Sequence, residues 1–266
     1  MSKSYQVLVV GGGAAGLATA ASLKKRDRSL EVAVVEPSDK HYYQPGWTMV
    51  GAGVFTKEDT IKDTDSIWPS DVIRIKDEVI KFDPKNNKVT LGNKTEVGYE
   101  MLVVASGLKL DWEAIEGLSE SLGENGVTSN YRYDLAPYTW ELVQEMNGKN
   151  AIFTQPPMPI KCAGAPQKAM YLSCDHWQKS GQLEGMNVSF CNAGPVLFGC
   201  ATYVPPLMKY VEKYGINLDF GHNLTKIDGP SKKAWFSVKK EGEDAKTIER
   251  SFDMIHVCPP QRAPDF

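Results

Sequence analysis

The first 36 residues alternate between short apolar runs and one segment with helical character. Tyr5 to Val10 (YQVLVV) is rich in β-branched residues and predicts a strand, and Glu31 to Val35 (EVAVV) predicts another. Between them, Leu17 to Lys25 is rich in Ala and Leu and predicts a helix. The glycine-rich run GGGAAG separates the first strand from the helix, so the order predicts a βαβ unit.

The glycine run has the spacing of a dinucleotide-binding turn. Gly11, Gly13 and Gly16 form G-x-G-x-x-G, which allows a tight turn, a close approach to a pyrophosphate and close helix packing. The free N–H groups at the helix start would face the phosphates. Glu36 lies 20 residues beyond Gly16, where an acid binds a ribose hydroxyl. We therefore predict dinucleotide binding, although the glycines alone do not distinguish FAD from NAD.

Two later segments favour FAD. Val72 to Phe82 and Lys88 to Leu91 read as strands around the polar turn Asp83 to Asn87. Glu100 to Gly107 (EMLVVASG) is an apolar strand that ends in a small-residue turn. Both resemble parts of the FAD domain in flavoproteins with two dinucleotide-binding domains, so Gly107 joins the candidate cofactor residues.

A second α/β segment follows, with strands at Asn150–Thr154 and Asn187–Cys191 and a helix at Tyr203–Tyr214. Its glycine loop, NAGPVLFG, lacks the required spacing because Gly194 and Gly199 are five residues apart. Pro195 and Leu197 occupy positions at which a bound phosphate would need accessible backbone. A nicotinamide dinucleotide is therefore not strongly supported at this second unit, and electrons would have to enter from another donor.

Composition narrows the classes of partner. The net charge of −3 and the absence of any block of five or more like charges give no electrostatic reason to expect a nucleic-acid partner. The apolar runs are far shorter than the roughly 20 residues that cross a bilayer. The histidine and cysteine spacings do not suit zinc, so we predict no metal. The five cysteines are an odd number without a C-x-x-C pair, which favours a reducing compartment.

One cysteine has sequence neighbours that favour a reactive thiol. Cys162 lies in PIKCAGAPQKAMYL, a small-residue loop ahead of a helix whose first turn would hold Pro166. The helix start and the nearby Lys161 and Lys168 favour a thiolate, the form that attacks and carries sulfur. The remaining cysteines have no comparable setting and read as structural, namely Cys174, Cys191, Cys200 and Cys258. We also expect core packing for Tyr42, Tyr43 and Trp47, rather than contact with a flavin.

Four stretches of the sequence resemble the sulfide:quinone oxidoreductases of bacteria and mitochondria. They are VLVVGGGAAGL, VVEPSDKHYYQPGWTMVGAG, NAIFTQPPMPIKCAGAPQKAMYL and HVCPPQRAPD, and the likeness runs along the whole chain. The resemblance implies an α/β fold with two Rossmann-like dinucleotide-binding domains, the first incomplete at its C-terminal part. The implied limits are residues 1–112 for the FAD domain, 113–258 for the second domain and 259–266 for the return to the first.

The resemblance also implies roles for individual residues. Gly12 and Gly13 would contact the FAD pyrophosphate, and Glu36 would bind the adenosine ribose. Gln44, and Val79 through its backbone near the adenine, would complete this half of the FAD site.

In such enzymes sulfide attacks a cysteine disulfide or trisulfide and leaves a persulfide and a thiolate. Cys162 would be one of the two redox cysteines, with Lys168 as its electrostatic partner. The electrons pass through FAD to a membrane quinone, and a small-molecule acceptor takes the persulfide sulfur.

The chain departs from the family pattern at its end. A G-D turn that holds FAD, the second redox cysteine and the amphipathic helices that contact the membrane would all follow Phe266. We therefore expect a fragment with an incomplete FAD site, whose parent lies on the cytoplasmic face of a bacterial inner membrane or, alternatively, on the mitochondrial inner membrane.

Three alternatives remain open from the residues alone. One is an NAD(P)H-dependent disulfide or coenzyme A-disulfide reductase, although no cysteine pair follows Glu36. Another is an NADH:quinone oxidoreductase, which would need an intact second glycine loop. The third is an inactive or non-catalytic FAD-binding fragment.

Overall fold

The computed structural model describes residues 3–147, 149–239 and 244–266. The chain divides into two compact units. The first consists of residues up to 42, residues 61–109 and residues 263–266, and the second of residues 43–60 and 110–262. Segment 43–60 thus belongs to the second unit, although it lies within the sequence range expected for the first domain. The domain limits inferred from the sequence remain a prediction.

The first unit is an α/β layer built on the predicted βαβ unit. Its helix and strands in chain order are β1 (Lys3–Val10), α1 (Ala14–Arg26), β2 (Val32–Val35), β3 (Lys40–Tyr42), β4 (Ile61–Asp63), β5 (Ile73–Ile75), β6 (Val79–Asp83), β7 (Lys88–Leu91) and β8 (Glu96–Val104). The six-stranded sheet has the order β5-β2-β1-β8-β7-β6. The first four of these strands are parallel, and β7 and β6 continue antiparallel.

Strand β1 is the centre of this sheet because it pairs on both sides. Val7 is opposite Val32 of β2 and Met101 of β8. The four residues from Val7 to Val10 are all buried, as expected for a parallel strand covered on both faces. The predicted strand and helix are confirmed, with α1 three residues longer at its start than expected. The hairpin forms between β6 and β7, but the single strand expected over Val72 to Phe82 was wrong, because β5 ends at Ile75 and pairs with β2 instead.

The second unit contains a parallel sheet and a separate antiparallel one. Its helices and strands are α2 (Trp47–Val50), β9 (Lys109–Leu110, at the unit boundary), α3 (Leu118–Ser121), β10 (Val127–Thr128), α4 (Ala136–Glu145), β11 (Asn150–Gln155), α5 (Gly164–Lys179), β12 (Asn187–Asn192), α6 (Val204–Tyr214), β13 (Asn217–Phe220), β14 (His222–Asp228), β15 (Lys233–Val238), β16 (Lys246–Ser251), β17 (Met254–His256) and β18 (Gln261–Arg262). The parallel sheet has the order β10-β17-β11-β12-β13, and β14-β15-β16 is antiparallel. Both predicted strands and the predicted helix are confirmed.

Within the described residues, no helix combines the length and apolar character needed to cross a bilayer.

Large side chains fill the space between the parallel sheet and its helices. Phe153 of β11, Phe190 of β12 and Trp177 of α5 are fully buried in one cluster. The indole N–H of Trp177 donates a hydrogen bond to the carbonyl of Val143 in α4, with an N···O distance of 2.7 Å. Trp177 therefore joins two helices to the sheet by packing and by one directed bond.

The expectation for the aromatics near position 45 is correct for one residue of three. Trp47 is buried with Val50 and Ala136, as predicted. Tyr42 and Tyr43 are 41% and 58% exposed, so core packing was wrong for them. Tyr42 ends the three-residue strand β3, and Tyr43 precedes a short 3₁₀ turn. Elements this short have no periodicity from which the buried face could be predicted.

We expect Trp177→Ala to lower the free energy of unfolding of the second unit by about 3–5 kcal/mol, because it removes a fully buried aromatic ring. Urea titration followed by circular dichroism measures the change. Tyr43→Ala is the control and should change stability by less than about 0.5 kcal/mol. Equal effects of the two substitutions would contradict the core assignment.

Candidate active site

At the glycine turn after β1, the backbone of Gly11 lies close to that of Ala105, and the backbone of Gly16 lies close to that of Gly11. Gly11 has φ +99°, and a Cβ there would lie 2.5 Å from the carbonyl oxygen of Ala105. A Cβ at Gly16 would lie 1.8 Å from the carbonyl oxygen of Gly11. Helix α1 therefore begins directly against the end of β1, and its first N–H groups, which have no acceptor within the helix, face outward from the turn. This is the geometry that binds a pyrophosphate.

Glu36 follows β2 and is held in place by backbone. One carboxylate oxygen accepts a hydrogen bond from the N–H of Gly12, and the other accepts one from the N–H of Ser38, both at 2.7 Å. Each carboxylate oxygen has a second lone pair, so the group can still accept a hydroxyl. Gly12 thus has a role that the G-x-G-x-x-G spacing does not reveal, since it fixes the predicted ribose acceptor.

These residues line a cleft of about 470 Å³ at the carboxyl ends of β1 and β2. Gly11, Glu36 and Val79 line it, together with Ser106 of the small-residue turn. Ligands of open parallel sheets bind at this edge, and the volume is that of a small-molecule site. Gly107, with φ +75°, continues the turn after Ser106. The acceptor, the backbone donors and the cleft fit the adenosine and phosphate groups of a dinucleotide.

In the second unit, Cys162 lies on the loop between β11 and α5. It is exposed, and its φ of +60° is in the left-handed region that residues with a Cβ rarely adopt. Such strained residues cluster at functional sites. Helix α5 begins two residues later, with Pro166 in its first turn as predicted.

The Cys162 loop is tied to the rest of its unit at Lys161. The N–H of Lys161 donates to the side-chain oxygen of Gln261 at 2.5 Å. The phenol of Tyr131 donates to the Lys161 carbonyl at 3.4 Å. Burial raises the pKa of Tyr131, so its hydroxyl keeps its proton at neutral pH. The loop conformation is therefore determined by residues distant in sequence.

A cavity of about 50 Å³ adjoins Cys162. The structure brings Gln44, Asn130, Lys161 and Lys168 to its lining, so the predicted pair of Cys162 and Lys168 shares one pocket. The amide oxygen of Gln44 contacts the ammonium group of Lys161. Gln44 therefore lies in the second unit beside the cysteine loop, and its expected contact with FAD remains a prediction.

Burial separates Cys162 from most of the other cysteines. Cys174, Cys191 and Cys258 are buried, and burial raises the pKa of each thiol to about 12. They remain protonated at neutral pH and are poor nucleophiles. Cys200 is exposed, so the structural role expected for it does not come from core packing.

Two side chains, one at the start of the loop and one from α5, satisfy backbone groups of the second glycine loop. The side-chain oxygen of Asn192 accepts the N–H of Gly194 at 2.8 Å, and its amide N–H donates to the carbonyl of Val196 at 2.9 Å. Gln167 of α5 donates to the carbonyl of Leu197 at 2.6 Å. At least one N–H that would face a phosphate in a dinucleotide loop is therefore occupied.

Asn130 and His256 form a buried polar pair that was not predicted from the sequence. The backbone N–H of Asn130, two residues after β10, donates to Nε2 of His256 at the end of β17, at 2.9 Å. Burial lowers the pKa of His256 to about 4, so the ring is neutral at physiological pH. The signal in the sequence was a polar residue, His256, at the end of an apolar run. That signal does not reveal which strands are neighbours in the sheet.

Comparison with known proteins agrees with this geometry. A family model described as pyridine nucleotide-disulphide oxidoreductase matches residues 5–140. The chain belongs to this family.

Among curated members, the mitochondrial sulfide:quinone oxidoreductase of Dictyostelium discoideum is 41% identical over 96% of this chain and 56% of its own length. The Mus musculus protein of the same name is 37% identical over 98% of this chain and 58% of its own length. The chain thus spans less than two thirds of these relatives. The sulfide:quinone oxidoreductase structure from Aquifex aeolicus has a TM-score of 0.80 at 20% identity, and covers 99% of this chain and 60% of that one. The resemblance and the α/β Rossmann-type fold expected from the sequence are confirmed.

The glycine turn predicts a contrast between two substitutions. Gly16→Ala should destabilise the first unit by about 1–3 kcal/mol, because the added Cβ collides with backbone that cannot rotate away. Gly13→Ala is the matched control, since a Cβ there meets no other atom of the described chain within 4 Å. Urea unfolding of the two variants measures the difference. Equal stabilities would contradict the close approach of Gly16 to Gly11.

His256 predicts a pH dependence of stability. Its pKa is lowered from 6.5 to about 4 by folding, so stability is complete above pH 6.5 and is lost as the pH falls toward 4. The slope should reach about 1.4 kcal/mol per pH unit in that window. Urea titrations between pH 4 and 8 measure it. His256→Asn should flatten the profile, whereas the half-buried His41→Gln should not; a profile unchanged by His256→Asn would contradict the assignment.

Proposed function

We propose that the whole protein oxidises hydrogen sulfide at Cys162, with FAD as the electron carrier and a membrane quinone as the electron acceptor. The observation that carries this proposal is the setting of Cys162. It is an exposed thiol in a strained loop at the start of α5, and it lines a small pocket together with Lys168. The similarity to sulfide:quinone oxidoreductases over nearly the whole chain supports it.

The first unit supplies the adenosine and phosphate part of the proposed FAD site. Gly11, Gly12, Gly13 and Gly16 form the turn that would receive the pyrophosphate, and Glu36 would accept the ribose hydroxyl. Val79, Gly107 and Gln44 complete the proposed set. Bound FAD would supply two-electron transfer from the cysteine pair to the quinone.

The proposed chemistry at Cys162 is a thiol–disulfide exchange. Hydrosulfide attacks a disulfide between Cys162 and a second cysteine of the whole protein. One S–S bond forms and one breaks, which gives a persulfide and a thiolate. The outer persulfide sulfur then leaves to a small-molecule acceptor, and oxidation of the two thiols restores the disulfide and releases two electrons. Lys168 would stabilise the thiolate.

The second glycine loop weighs against the NADH-dependent alternatives, since the N–H of Gly194 is already bonded to the side chain of Asn192. The mitochondrial relatives support placing the whole protein at the mitochondrial inner membrane rather than in a bacterial cell.

The test uses the whole protein, including any residues that follow Phe266. Anaerobic addition of sulfide should bleach the flavin absorbance, and Cys162→Ser should slow bleaching by at least about 1,000-fold, since the residues of one catalytic unit cannot replace one another. Stopped-flow absorbance measures the rate. Cys200→Ser, which removes the other exposed thiol, is the matched control and should bleach at the wild-type rate.

Bleaching by NADH in place of sulfide would overturn the proposal in favour of a pyridine-nucleotide enzyme. A colourless whole protein would favour the non-catalytic alternative.

A further inference from the structure

Arg74 is a largely buried cation beside the segment that follows Glu36. It lies on β5, opposite Val34 of β2, and its side chain is 15% exposed. At the end of the same strand pair, the carbonyl of Ile75 accepts the backbone N–H of Glu36, with an N···O distance of 3.0 Å. The edge strand β5 therefore places the Arg74 guanidinium next to the residues that follow Glu36.

The guanidinium of Arg74 binds these residues directly. One terminal nitrogen donates to the carbonyl of Ser38 at 2.7 Å and to the carboxylate of Asp39 at 3.1 Å. The other terminal nitrogen donates to the carboxylate of Asp65, and the guanidinium lies 5.3 Å from the ring centre of Trp68. Because the guanidinium is planar and its donors point in fixed directions, these contacts together determine its orientation.

Ser38 connects this cluster of contacts to Glu36. The N–H of Ser38 donates to the Glu36 carboxylate at 2.7 Å. The carbonyl of Ser38 accepts the Arg74 bond and also one from the hydroxyl of the buried Thr64, at 3.0 Å. Ser38 is therefore held at both of its peptide groups, and a shift of its carbonyl would also turn its N–H away from the carboxylate.

We propose that Arg74 is a positioning residue for FAD, and that it acts through Ser38 to hold the Glu36 carboxylate where the adenosine ribose binds. This inference rests on the proposed function, because it takes Glu36 as the ribose acceptor. Among the described residues, those that line the cleft include Glu36 but not Arg74. A carboxylate that is already held by Gly12 and Ser38 loses little conformational freedom when FAD binds, whereas a released one would lose more.

The affinity of the whole protein for FAD tests this role. The protein is stripped of FAD and titrated with it, and the change in flavin fluorescence reports binding. Glu36→Ala should raise the Kd for FAD by about tenfold or more, the effect of losing a hydrogen bond to a charged group. Arg74→Met should raise the Kd by about fivefold, because the carboxylate remains but is no longer held in place.

A double-mutant cycle separates positioning from a general structural effect. If Arg74 acts through Glu36, adding Arg74→Met to Glu36→Ala should raise the Kd for FAD by less than about a further twofold. A residue that only stabilised the fold would raise the Kd by the same factor in both backgrounds. At saturating FAD, the rate of flavin reduction by sulfide should change by less than about twofold in Arg74→Met, since the reacting sulfurs are untouched.

Lys76→Met is the matched control. Lys76 also pairs with Asp39, at 2.5 Å, but its side chain is 59% exposed and it makes no hydrogen bond to Ser38 within the described part of the chain. The loss of an exposed ion pair has little effect on the surrounding structure. The Kd of Lys76→Met for FAD should therefore remain within about twofold of the wild-type value.

The melting temperature shows whether Arg74→Met remains folded. The Ser38 carbonyl keeps its bond from Thr64, and Asp39 keeps Lys76, so the melting temperature should fall by less than about 4 °C. If Arg74→Met does not fold, Thr64→Val carries the same test. It removes the other hydrogen bond to the Ser38 carbonyl at nearly constant volume, and should raise the Kd for FAD by about threefold in the wild-type background but not in Glu36→Ala.

The outcomes distinguish this role from the proposed function. An unchanged Kd in Arg74→Met, an equal rise in Lys76→Met, or the same rise in both backgrounds of the cycle overturns the role of Arg74 and leaves the proposed function standing. If the FAD affinities change as expected but sulfide does not bleach the flavin, the proposed sulfide chemistry fails and the role of Arg74 stands. A whole protein that binds no FAD overturns both.

Discussion

The close approach of two backbone segments at Gly11 and Gly16 determines the first unit. With 1.8 Å between a hypothetical Cβ and a carbonyl oxygen, no other residue fits at position 16 without moving the helix. This contact places the start of α1 at the end of β1, in the middle of the sheet. The position of the first N–H groups of α1, the anchoring of Glu36 by Gly12 and the cleft at the strand ends all depend on it.

The second unit repeats the α/β arrangement with a different use of its strand ends. In the loop after β12, the side-chain oxygen of Asn192 accepts the N–H of Gly194, and the side-chain amide of Gln167 donates to the carbonyl of Leu197. The candidate reactive residue of this unit, Cys162, lies on the preceding loop, between β11 and α5, and adopts a left-handed backbone conformation. Two related units can therefore carry different functions, because the loops at the carboxyl edge of a parallel sheet vary independently of the strands.

Burial determines which polar groups in the second unit can react. The same desolvation that raises the pKa of the buried thiols to about 12 lowers the pKa of His256 to about 4, and so keeps all of them neutral. A neutral His256 can accept the N–H of Asn130, which a protonated ring could not. Cys162, in contrast, is exposed and shares its pocket with Lys161 and Lys168.

The sequence by itself determined the βαβ unit, the glycine turn, the acid at position 36, the hairpin, the second α/β segment and the singular setting of Cys162. These depend on local spacing, which the chain carries in its own order. Only the tertiary structure decided that Tyr42 and Tyr43 are exposed, that Gln44 contacts Lys161, and that Asn130 meets His256 across 126 positions. The physical reason is strand order: β10, β17 and β11 are neighbours in the sheet but far apart in the chain, and no periodicity encodes which strand ends meet.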